Sequence, residues 1–328
     1  MTDSRALASP RALISGVTGQ DGHYLAARLI EAGITVHGVV GPSRSVESVS
    51  APGFVGHELD LTDAAQVRAL VADVAPQHVF HLAGLSSVGR SWTDPVATVD
   101  VNAVSVTAVL DACLQFQDET GDPISVVNAS SAEVFAGSSE SPQDESTAIA
   151  PTSPYGVSKA LGHMMCQVYR RRGLQATNAI LYNHESPRRP ATFVTRKITA
   201  AAAAIAAGEQ DRLTLGNLSL RRDWGWAPDY VDAMYRMALH GKGDDFVVAT
   251  GESHSVAEFV ETAFAAVGIT DWRAHVEIDD ELNRPADSAD MVGDATRARD
   301  VLGWQPTKTF EQIVTSMVNA DRRQEQNS

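Results

Sequence analysis

The sequence predicts an α/β fold in which a doubly wound parallel sheet is followed by a smaller C-terminal α/β domain. In the first half, short apolar segments alternate with helical segments, the order expected of a parallel sheet covered on both faces. The first apolar segment runs into a glycine-rich turn and then into a helix. After Gly173 the pattern changes to short strands separated by polar, arginine-rich stretches, which indicates the second domain.

The elements of the first half are predicted in a regular order. A strand at Ala12–Ser15 precedes a helix that ends near Gly33. Further strands are predicted at 35–40, 56–61, 78–84 and 124–130, and further helices near 63–75, 96–117 and 155–173. We assign residues 1–182, with about 226–251 returning, to the first domain, and 183–225 and 252–328 to the second.

The glycine-rich turn predicts a dinucleotide site. Glycines at 16, 19 and 22 join the first strand to the first helix, where backbone can approach a pyrophosphate and the helix N-terminus attracts the anion. The second strand is followed by Gly41, Pro42 and a single base, Arg44, with no acid before Glu47. An acid at this point favours NAD and an arginine favours NADP. The expected cofactor is therefore NADP, with NAD less favoured, although Arg44 also fits a solvated loop.

Composition narrows the possible partners. The formal net charge of −15 argues against nucleic acid and anionic membranes. No signal peptide or apolar run of membrane-spanning length is evident, so we expect a soluble cytoplasmic protein. Cys113 and Cys166 lie in apolar helical segments and are expected to fill the core. The histidines and cysteines have no metal-ligand spacing, so no metal is predicted.

Four side chains around the fifth strand predict proton chemistry. Tyr155 and Lys159 are four residues apart on one helix, so both leave from the same face. An ammonium beside a phenol favours the phenolate, which can accept a proton from a substrate hydroxyl. Ser131 can orient that hydroxyl, and Glu133 supplies a second proton acceptor. By itself the short Y-x-x-x-K pattern is more typical of a half-buried helix aromatic with a solvated lysine, so the chemical interpretation depends on the dinucleotide site.

The second half carries bases that can bind a diphosphate. Arg188, Arg189, Lys197, Arg222 and Arg284 are predicted to lie in loops beyond strand ends. In an acidic protein such loop bases are candidates for phosphate contacts, while solvated surface charge is the alternative for some of them.

Longer motifs make the chain resemble a known family. GVTGQDGHYLA, SAEVF, SPYGVSK, LYNHESPRR, TFVTRKI, LGNL, RRDWGWAPDYVDAMY and a GD-x₇-LGW segment occur in order. Over about residues 11–310 they resemble the extended short-chain dehydrogenase/reductase superfamily and, within it, the GDP-mannose 4,6-dehydratase family. The resemblance implies a Rossmann domain and a nucleotide-sugar-binding domain. It also implies a homodimer or homotetramer.

The implied activity is conversion of GDP-D-mannose to GDP-4-keto-6-deoxy-D-mannose. It combines oxidation at C-4, loss of water across C-5 and C-6, and return of the hydride to C-6. Ser131, Glu133, Tyr155 and Lys159 would be catalytic. Implied cofactor contacts are Gly16, Thr18, Gly19, Gln20, Asp21, Gly22, Asp60, Leu61, Leu82, Ala83, Gly84, Tyr155, Lys159, His184 and Arg189. Implied GDP-sugar contacts are Ser86, Asn183, Val194, Lys197, Gly216, Arg222 and Arg284.

Several positions depart from the family pattern. Ser131 stands in place of threonine, Ala132 in place of serine, and Gly41-Pro42 in place of a basic pair. The segment from there to Asp60 is shorter than the family's arm, which makes a dimer at least as well supported as a tetramer. The alternatives are a GDP-4-keto-6-deoxy-mannose reductase or a nucleotide-sugar epimerase of the same fold, and, from another class, a non-catalytic cofactor sensor. Glu133 and the intact Tyr155–Lys159 pair argue against them.

Overall fold

A computed structural model describes residues 9–42, 51–282 and 290–325 and divides the chain into two compact units. Unit 1 comprises Met1–Val134, Pro151–Ile180 and Val231–Phe246. Unit 2 comprises Phe135–Ala150, Leu181–Tyr230 and Val247–Ser328. A late segment, Val231–Phe246, belongs to the first unit and residues 135–150 belong to the second. The division into two functional domains stays a prediction. The nucleotide-sugar-binding role of the second domain stays a prediction.

A seven-stranded sheet confirms the predicted α/β class. Its strands are β1 (Arg11–Ser15), β2 (Thr35–Val40), β3 (Phe54–Glu58), β4 (His78–His81), β5 (Ser125–Ser131), β6 (Gln175–Leu181) and β10 (Asp245–Val248). They lie in the order β10-β6-β5-β4-β1-β2-β3, and the pairs around β1 and β4 are parallel. The chain turns from one side of the sheet to the other between β1 and β4. Ligands of such sheets bind beyond the strand ends at this point.

The helices of the first unit cover this sheet. They are α1 (Gln20–Glu31), α2 (Ala64–Val74), α3 (Val88–Thr93), α4 (Pro95–Val99), α5 (Ser105–Thr120) and α6 (Pro154–Arg171). The single helix predicted at 96–117 is instead two helices joined by a π-helical turn, Asp100–Val104. The third strand was predicted too late, since it ends at Glu58. Cys113 and Cys166 are fully buried free thiols in the core, as expected, and burial raises the pKa of each to about 12.

The stretch Pro95–Thr120 is long and apolar enough to cross a membrane by length and composition alone. Its central part packs against α2 and α6, and 56% of its most apolar window is buried inside the protein. Burial in the core accounts for this apolar character.

The second unit contains two small sheets and four helices. Strands β7 (Asn183–Glu185), β9 (Arg221–Trp226) and β11 (Ser253–Ser255) form one sheet, and β8 (Leu213–Leu215) pairs with β12 (Val276–Ile278). The helices within this unit are α7 (Val194–Ala207), α9 (Val256–Ala265), α10 (Thr296–Leu302) and α11 (Phe310–Glu325); α8 (Ala227–His240) begins in this unit and continues into the first. A shared apolar core includes Trp224, Phe259 and Met317.

A buried carboxylate fastens α6 to the sheet. Asp245 accepts hydrogen bonds from Arg170 at 2.6 Å, from Asn178 at 2.8 Å and from Gln167 at 3.0 Å. Burial opposes its ionisation, but hydrogen bonds from His163 and Arg170 outweigh burial and lower the pKa of Asp245. Its contribution to stability is therefore present above the ordinary aspartate pKa of about 4 and is lost as the pH falls.

Removing this charge tests the arrangement. We expect Asp245→Asn to lower the free energy of unfolding by about 3 kcal/mol at pH 7, because Arg170 loses its buried partner. The difference from the unmodified protein should shrink as the pH is lowered below about 4. Urea unfolding at pH 7 and at a pH below about 4 measures the difference in the free energy of unfolding. Asp300→Asn, which removes an exposed pair with Arg299, is the control and should cost less than about 0.5 kcal/mol. Equal losses in the two variants would contradict the assignment.

Candidate functional site

The predicted catalytic residues lie together where β5 meets α6. Ser131 is the last residue of β5, and Glu133 follows it in a short 3₁₀ turn, Ala132–Phe135. The backbone N–H of Glu133 donates to Ser131 Oγ at 3.2 Å. At Gly156, in the first turn of α6, an added Cβ would lie 2.8 Å from the Glu133 carbonyl oxygen. The glycine therefore lets the Glu133 turn pack against the start of the helix that carries the tyrosine.

Tyr155 and Lys159 share a face of α6, as predicted. Tyr155 is buried, and the Lys159 ammonium lies 5.9 Å from the centre of its ring. Ser153 caps this helix by accepting from the Gly156 N–H. The Lys159 ammonium donates to the carbonyl oxygen of Ala129 in β5 at 2.9 Å. This bond fixes the register of the helix against the strand.

The ammonium of Lys159 is desolvated although part of its side chain is exposed. Burial lowers the pKa of Lys159 to about 8, an effect partly opposed by the negative charge of Asp21. Near pH 7 the group is therefore mainly charged and can stabilise a neighbouring phenolate. Above about pH 8 that support is lost.

The glycine-rich turn fits a dinucleotide. Gly16 has φ 72°, and a Cβ there would lie 2.9 Å from the backbone of Ala83. At Gly22 a Cβ would lie 2.5 Å from the Gly16 carbonyl oxygen. Gly19 is the N-cap residue of α1 and has no side chain to cap the first N–H groups. Backbone packed this closely at a helix N-terminus can bind a pyrophosphate.

The other predicted cofactor residues of this unit lie at the ends of neighbouring strands. Asp60 and Leu61 follow β3, and Leu82, Ala83 and Gly84 follow β4. Ser86 lies exposed in the same loop. The Asp60 carboxylate accepts from the N–H and hydroxyl of Thr62, at 2.9 and 2.8 Å. Arg44, on which the NADP preference depended, lies outside the described residues.

A residue that the sequence did not indicate holds the loop after β4. Asn102, in the π-helical turn, accepts from the Leu85 N–H at 2.7 Å and donates to the Leu85 carbonyl. It also donates to Ser158 of α6 at 3.0 Å. A Cβ on Gly84 would lie 2.8 Å from the Asn102 amide oxygen and 3.7 Å from the Lys159 nitrogen. Asn102 was missed because an apolar helical run hides the π-turn that redirects it.

The predicted substrate residues of the second unit occupy more regular structure than expected. Lys197 lies in α7, where it donates to the Thr214 carbonyl at 2.7 Å, and Arg222 is buried in β9. The prediction that both lie in loops was wrong, because β9 and α7 begin earlier than their polar sequences suggest. Asn183 begins β7, Val194 begins α7 and Gly216 follows β8. Arg284 lies outside the described residues.

Two further predicted residues of this unit are held by neighbours. His184 donates from Nδ1 to the Tyr182 carbonyl at 2.7 Å and stacks on Tyr230. The bond leaves Nε2 of the neutral ring as an acceptor. Arg189 lies 3.2 Å from Glu185 and stacks on Phe193.

Metal binding has no support in residues 9–42, 51–282 and 290–325. No group of three or more His, Cys, Asp or Glu side chains there is arranged to hold an ion.

The close packing at Gly22 can be tested. Gly22→Ala adds a methyl group 2.5 Å from the Gly16 oxygen, so the loop must shift. We expect NADP⁺ to bind at least about 10-fold more weakly, and unfolding to be easier by about 1–3 kcal/mol. Fluorescence titration and thermal unfolding measure these changes. At Gly89 an added Cβ is 3.9 Å from its nearest neighbour, so Gly89→Ala is the control. Undiminished NADP⁺ affinity in Gly22→Ala would exclude the loop as the pyrophosphate site.

Comparison with known proteins agrees with these features. The family model described as GDP-mannose 4,6 dehydratase matches residues 13–317. GDP-mannose 4,6 dehydratase 1 of Arabidopsis thaliana is 42% identical over 94% of this chain and 89% of its own length. Among solved structures, the UDP-glucose 4-epimerase of Thermotoga maritima with UDP-glucose has a TM-score of 0.85 at 22% identity, covering 96% of this chain and 99% of its own.

A second solved structure shares the fold. RMD from Pseudomonas aeruginosa, complexed with NADPH, has a TM-score of 0.78 at 23% identity and covers 96% of this chain and all of its own. These two structures share the fold, whereas the family model and the plant enzyme share sequence over nearly the whole chain. The chain belongs to the GDP-mannose 4,6-dehydratase family.

Proposed function

We propose that this chain is a hydro-lyase that converts GDP-D-mannose to GDP-4-keto-6-deoxy-D-mannose. The observation that carries the proposal is Glu133, held by Ser131 and packed against the helix of Tyr155 and Lys159. An enzyme that only exchanges hydride with a sugar alcohol needs one proton acceptor. Elimination of water needs a second, and Glu133 supplies it.

The proposed cofactor is NADP, bound in the first unit by the glycine-rich turn and by the loops after β3 and β4. When bound, its nicotinamide accepts a hydride from C-4 of the sugar and returns it to C-6. Two observations support a dinucleotide here, the Gly16–Gly22 packing and the uncapped start of α1. The choice of NADP over NAD rests on Arg44 and on the lack of an acid between β2 and Glu47 in the sequence.

Tyr155 is the proposed base for the 4-hydroxyl. Its phenolate, stabilised by the Lys159 ammonium, takes the proton from that oxygen and becomes the phenol as the C–H bond at C-4 breaks. Ser131 Oγ, which already accepts from the Glu133 N–H, donates to the same sugar oxygen. The resulting 4-keto group makes the C-5 proton acidic.

Glu133 then removes the C-5 proton and delivers a proton to the departing 6-hydroxyl. The leaving oxygen departs as water, and the double bond between C-5 and C-6 forms. The proton that Tyr155 took from the 4-hydroxyl then goes to C-5 as the hydride returns to C-6, which restores the phenolate, so no net cofactor would be consumed. Half-burial of Glu133 suits a group that must both accept and donate.

The GDP moiety is assigned to the second unit. Asn183, Lys197, Arg222 and, outside the described residues, Arg284 are the proposed polar contacts, with Val194 and Gly216 beside the base. Because the chain carries a net charge of −15, the diphosphate depends on these local bases rather than on a general positive field.

The assay that tests the function combines purified protein with GDP-mannose, first without cofactor and then with NADP⁺ or NAD⁺. Loss of one water by mass, without lasting change in nicotinamide absorbance, is expected, with NADP⁺ the more effective. Glu133→Gln should lower turnover at least about 100-fold. Exposed Glu140→Gln is the control and should be unaffected. Intact turnover in Glu133→Gln would refute the role of Glu133. NADPH consumption on a 4-keto-sugar nucleotide, with inert GDP-mannose, would indicate a reductase.

The desolvated lysine predicts a pH dependence. In the unmodified enzyme kcat/KM should fall as the pH rises through about 8, because Lys159 loses the charge that supports the phenolate. In Lys159→Arg the guanidinium stays charged, so the fall should move above about pH 10. In Lys159→Met the turnover should fall at least about 100-fold at every pH. A fall at pH 8 that persists in Lys159→Arg would assign it to another group.

We also propose a cytoplasmic homodimer that pairs through α4, α5 and α6, with a homotetramer as the alternative. Val96 of α4 and Val157, Leu161, Met164 and Val168 of α6 are large apolar side chains exposed to solvent. Such a patch on a folded surface is typical of an interface.

Charge on this patch tests the assembly. Met164→Glu, at a side chain 49% exposed, should convert dimers to monomers because a carboxylate would be buried in an apolar contact. Light scattering at several concentrations gives the mass. Leu239→Glu, at an exposed leucine of α8, is the control and should leave the dimer intact. A Met164→Glu protein that keeps the unmodified mass would place the interface elsewhere.

A further inference from the structure

Three fully buried polar side chains inside the first unit are joined by hydrogen bonds into a series. Ser15 ends β1, His81 ends β4 and Ser105 begins α5, and each is at most 3% exposed. Ser15 Oγ lies 3.0 Å from His81 Nδ1, and Ser105 Oγ lies 3.1 Å from His81 Nε2. Both imidazole nitrogens are therefore engaged by hydroxyl groups.

The other hydrogen bonds of Ser15 and Ser105 determine which atom donates in each contact with His81. Ser15 Oγ accepts from the backbone N–H groups of Leu82 and Ala83, at 3.1 and 3.2 Å, and the Leu82 N–H also lies 3.3 Å from the Ser15 carbonyl oxygen. A hydroxyl oxygen has two lone pairs and one proton, so this proton must be donated to His81 Nδ1. Neutral His81 then carries its proton on Nε2 and donates it to Ser105 Oγ. The Ser105 hydroxyl in turn donates to the Val101 carbonyl at 2.5 Å.

The two ends of the Ser15–His81–Ser105 series lie at different parts of the proposed site. At one end, Ser15 holds the N–H groups of Leu82 and Ala83 in the cofactor loop. At the other end, Ser105 ties down the π-helical turn that contains Val101 and Asn102. Asn102 donates to Ser158 Oγ, and Ser158 donates to the carbonyl oxygen of Tyr155 at 2.7 Å. Two series of hydrogen bonds, joined by the covalent step from Val101 to Asn102, thus link the cofactor loop to the backbone of Tyr155.

We propose that His81, with its proton on Nε2, is a positioning residue that links the dinucleotide loop after β4 to the π-turn and, through Asn102 and Ser158, to Tyr155. Its Ser15 side sets cofactor affinity, and its Ser105 side sets the placement of the proton acceptor. The assignment deepens the proposed function and depends on it only for its turnover measurements.

The neutral ring is required by the partners themselves. A doubly protonated imidazole would present Nδ1–H to Ser15 Oγ, whose lone pairs already receive two backbone N–H groups. Burial, assisted by the positive charge of Lys159, lowers the pKa of His81 to about 3. The ring therefore keeps one tautomer across the working pH range and acts by geometry rather than by titration.

Two substitutions separate the two sides of the ring. In asparagine the terminal amide atoms are two bonds from Cβ, as Nδ1 is, so His81→Asn can keep the Ser15 contact but cannot reach Ser105. In glutamine they are three bonds from Cβ, as Nε2 is, so His81→Gln can keep the Ser105 contact and lose the Ser15 contact. Val67→Ala, in the buried face of α2, removes core packing without touching the site and is the stability control.

Binding of NADP⁺ without substrate, kcat with saturating GDP-mannose, and the melting temperature are measured for each protein. His81→Gln should weaken NADP⁺ binding about 10-fold with a smaller change in kcat, and His81→Asn should lower kcat about 10-fold with a smaller change in NADP⁺ affinity. Val67→Ala should lower only the melting temperature. Proportional losses of affinity and kcat in both His81 variants, or no loss in either, would overturn the proposal.

A milder variant covers the case in which the His81 variants do not fold. Ser105→Ala should lower kcat and leave NADP⁺ affinity unchanged, because it breaks only the end of the chain that faces the π-turn. Unchanged kcat in Ser105→Ala would overturn the proposal. If the unmodified protein binds NADP⁺ but turns over no nucleotide sugar, the proposed function fails. The NADP⁺ affinities of the two His81 variants still test whether the contact between Ser15 and His81 sets cofactor affinity.

Discussion

The bond between the Lys159 ammonium and the Ala129 carbonyl fixes the register between α6 and β5, on which the catalytic half of the site depends. Tyr155, Lys159 and His163 follow one another at helical spacing on the face of α6 that meets this strand. His163 lies 3.2 Å from Ser130 Oγ, next to Ser131, so the helix is fastened to β5 at two successive turns. A shift of one residue would separate the tyrosine from the serine and the glutamate.

This attachment has an energetic cost that other contacts offset. The ammonium gives up most of its water, which is why the pKa of Lys159 falls to about 8. Further along α6, the Asp245 carboxylate is also buried, but four donors compensate it, and its pKa is lowered. The α6 helix is thus held at its far end by the Asp245 carboxylate, whose burial is fully compensated, and at the site by the Lys159 ammonium, whose burial is only partly compensated. A pKa close to neutral pH is useful for a group that supports a proton acceptor.

Sequence patterns predicted the parts of the structure that repeat. Apolar periodicity located β1, β2 and the start of α6 closely, because these segments have one strong period and clear glycine or proline boundaries. It failed at Asp100–Val104, where the apolar pattern continues while the backbone widens into a π-turn. It also placed Lys197 and Arg222 in loops, since a charged side chain on a strand or helix looks like surface charge in the sequence. The turn of Glu133 does pack against the start of the helix that carries Tyr155, because parallel strands and their following helices meet at one edge of the sheet; their shared catalytic role stays a prediction.

Two neighbouring charged residues of β9 have different partners. Arg222, a proposed diphosphate contact, is 8% exposed, and its Nη1 donates to the Arg221 carbonyl oxygen. Asp223 accepts hydrogen bonds from the Thr250 hydroxyl and from backbone N–H groups at Thr250 and Gly251. Burial outweighs these bonds and raises the pKa of Asp223 to about 6, so the carboxylate is still mainly ionised at pH 7. Its charge is used to hold the loop at Thr250 and Gly251, a role that the sequence R-R-D alone does not reveal.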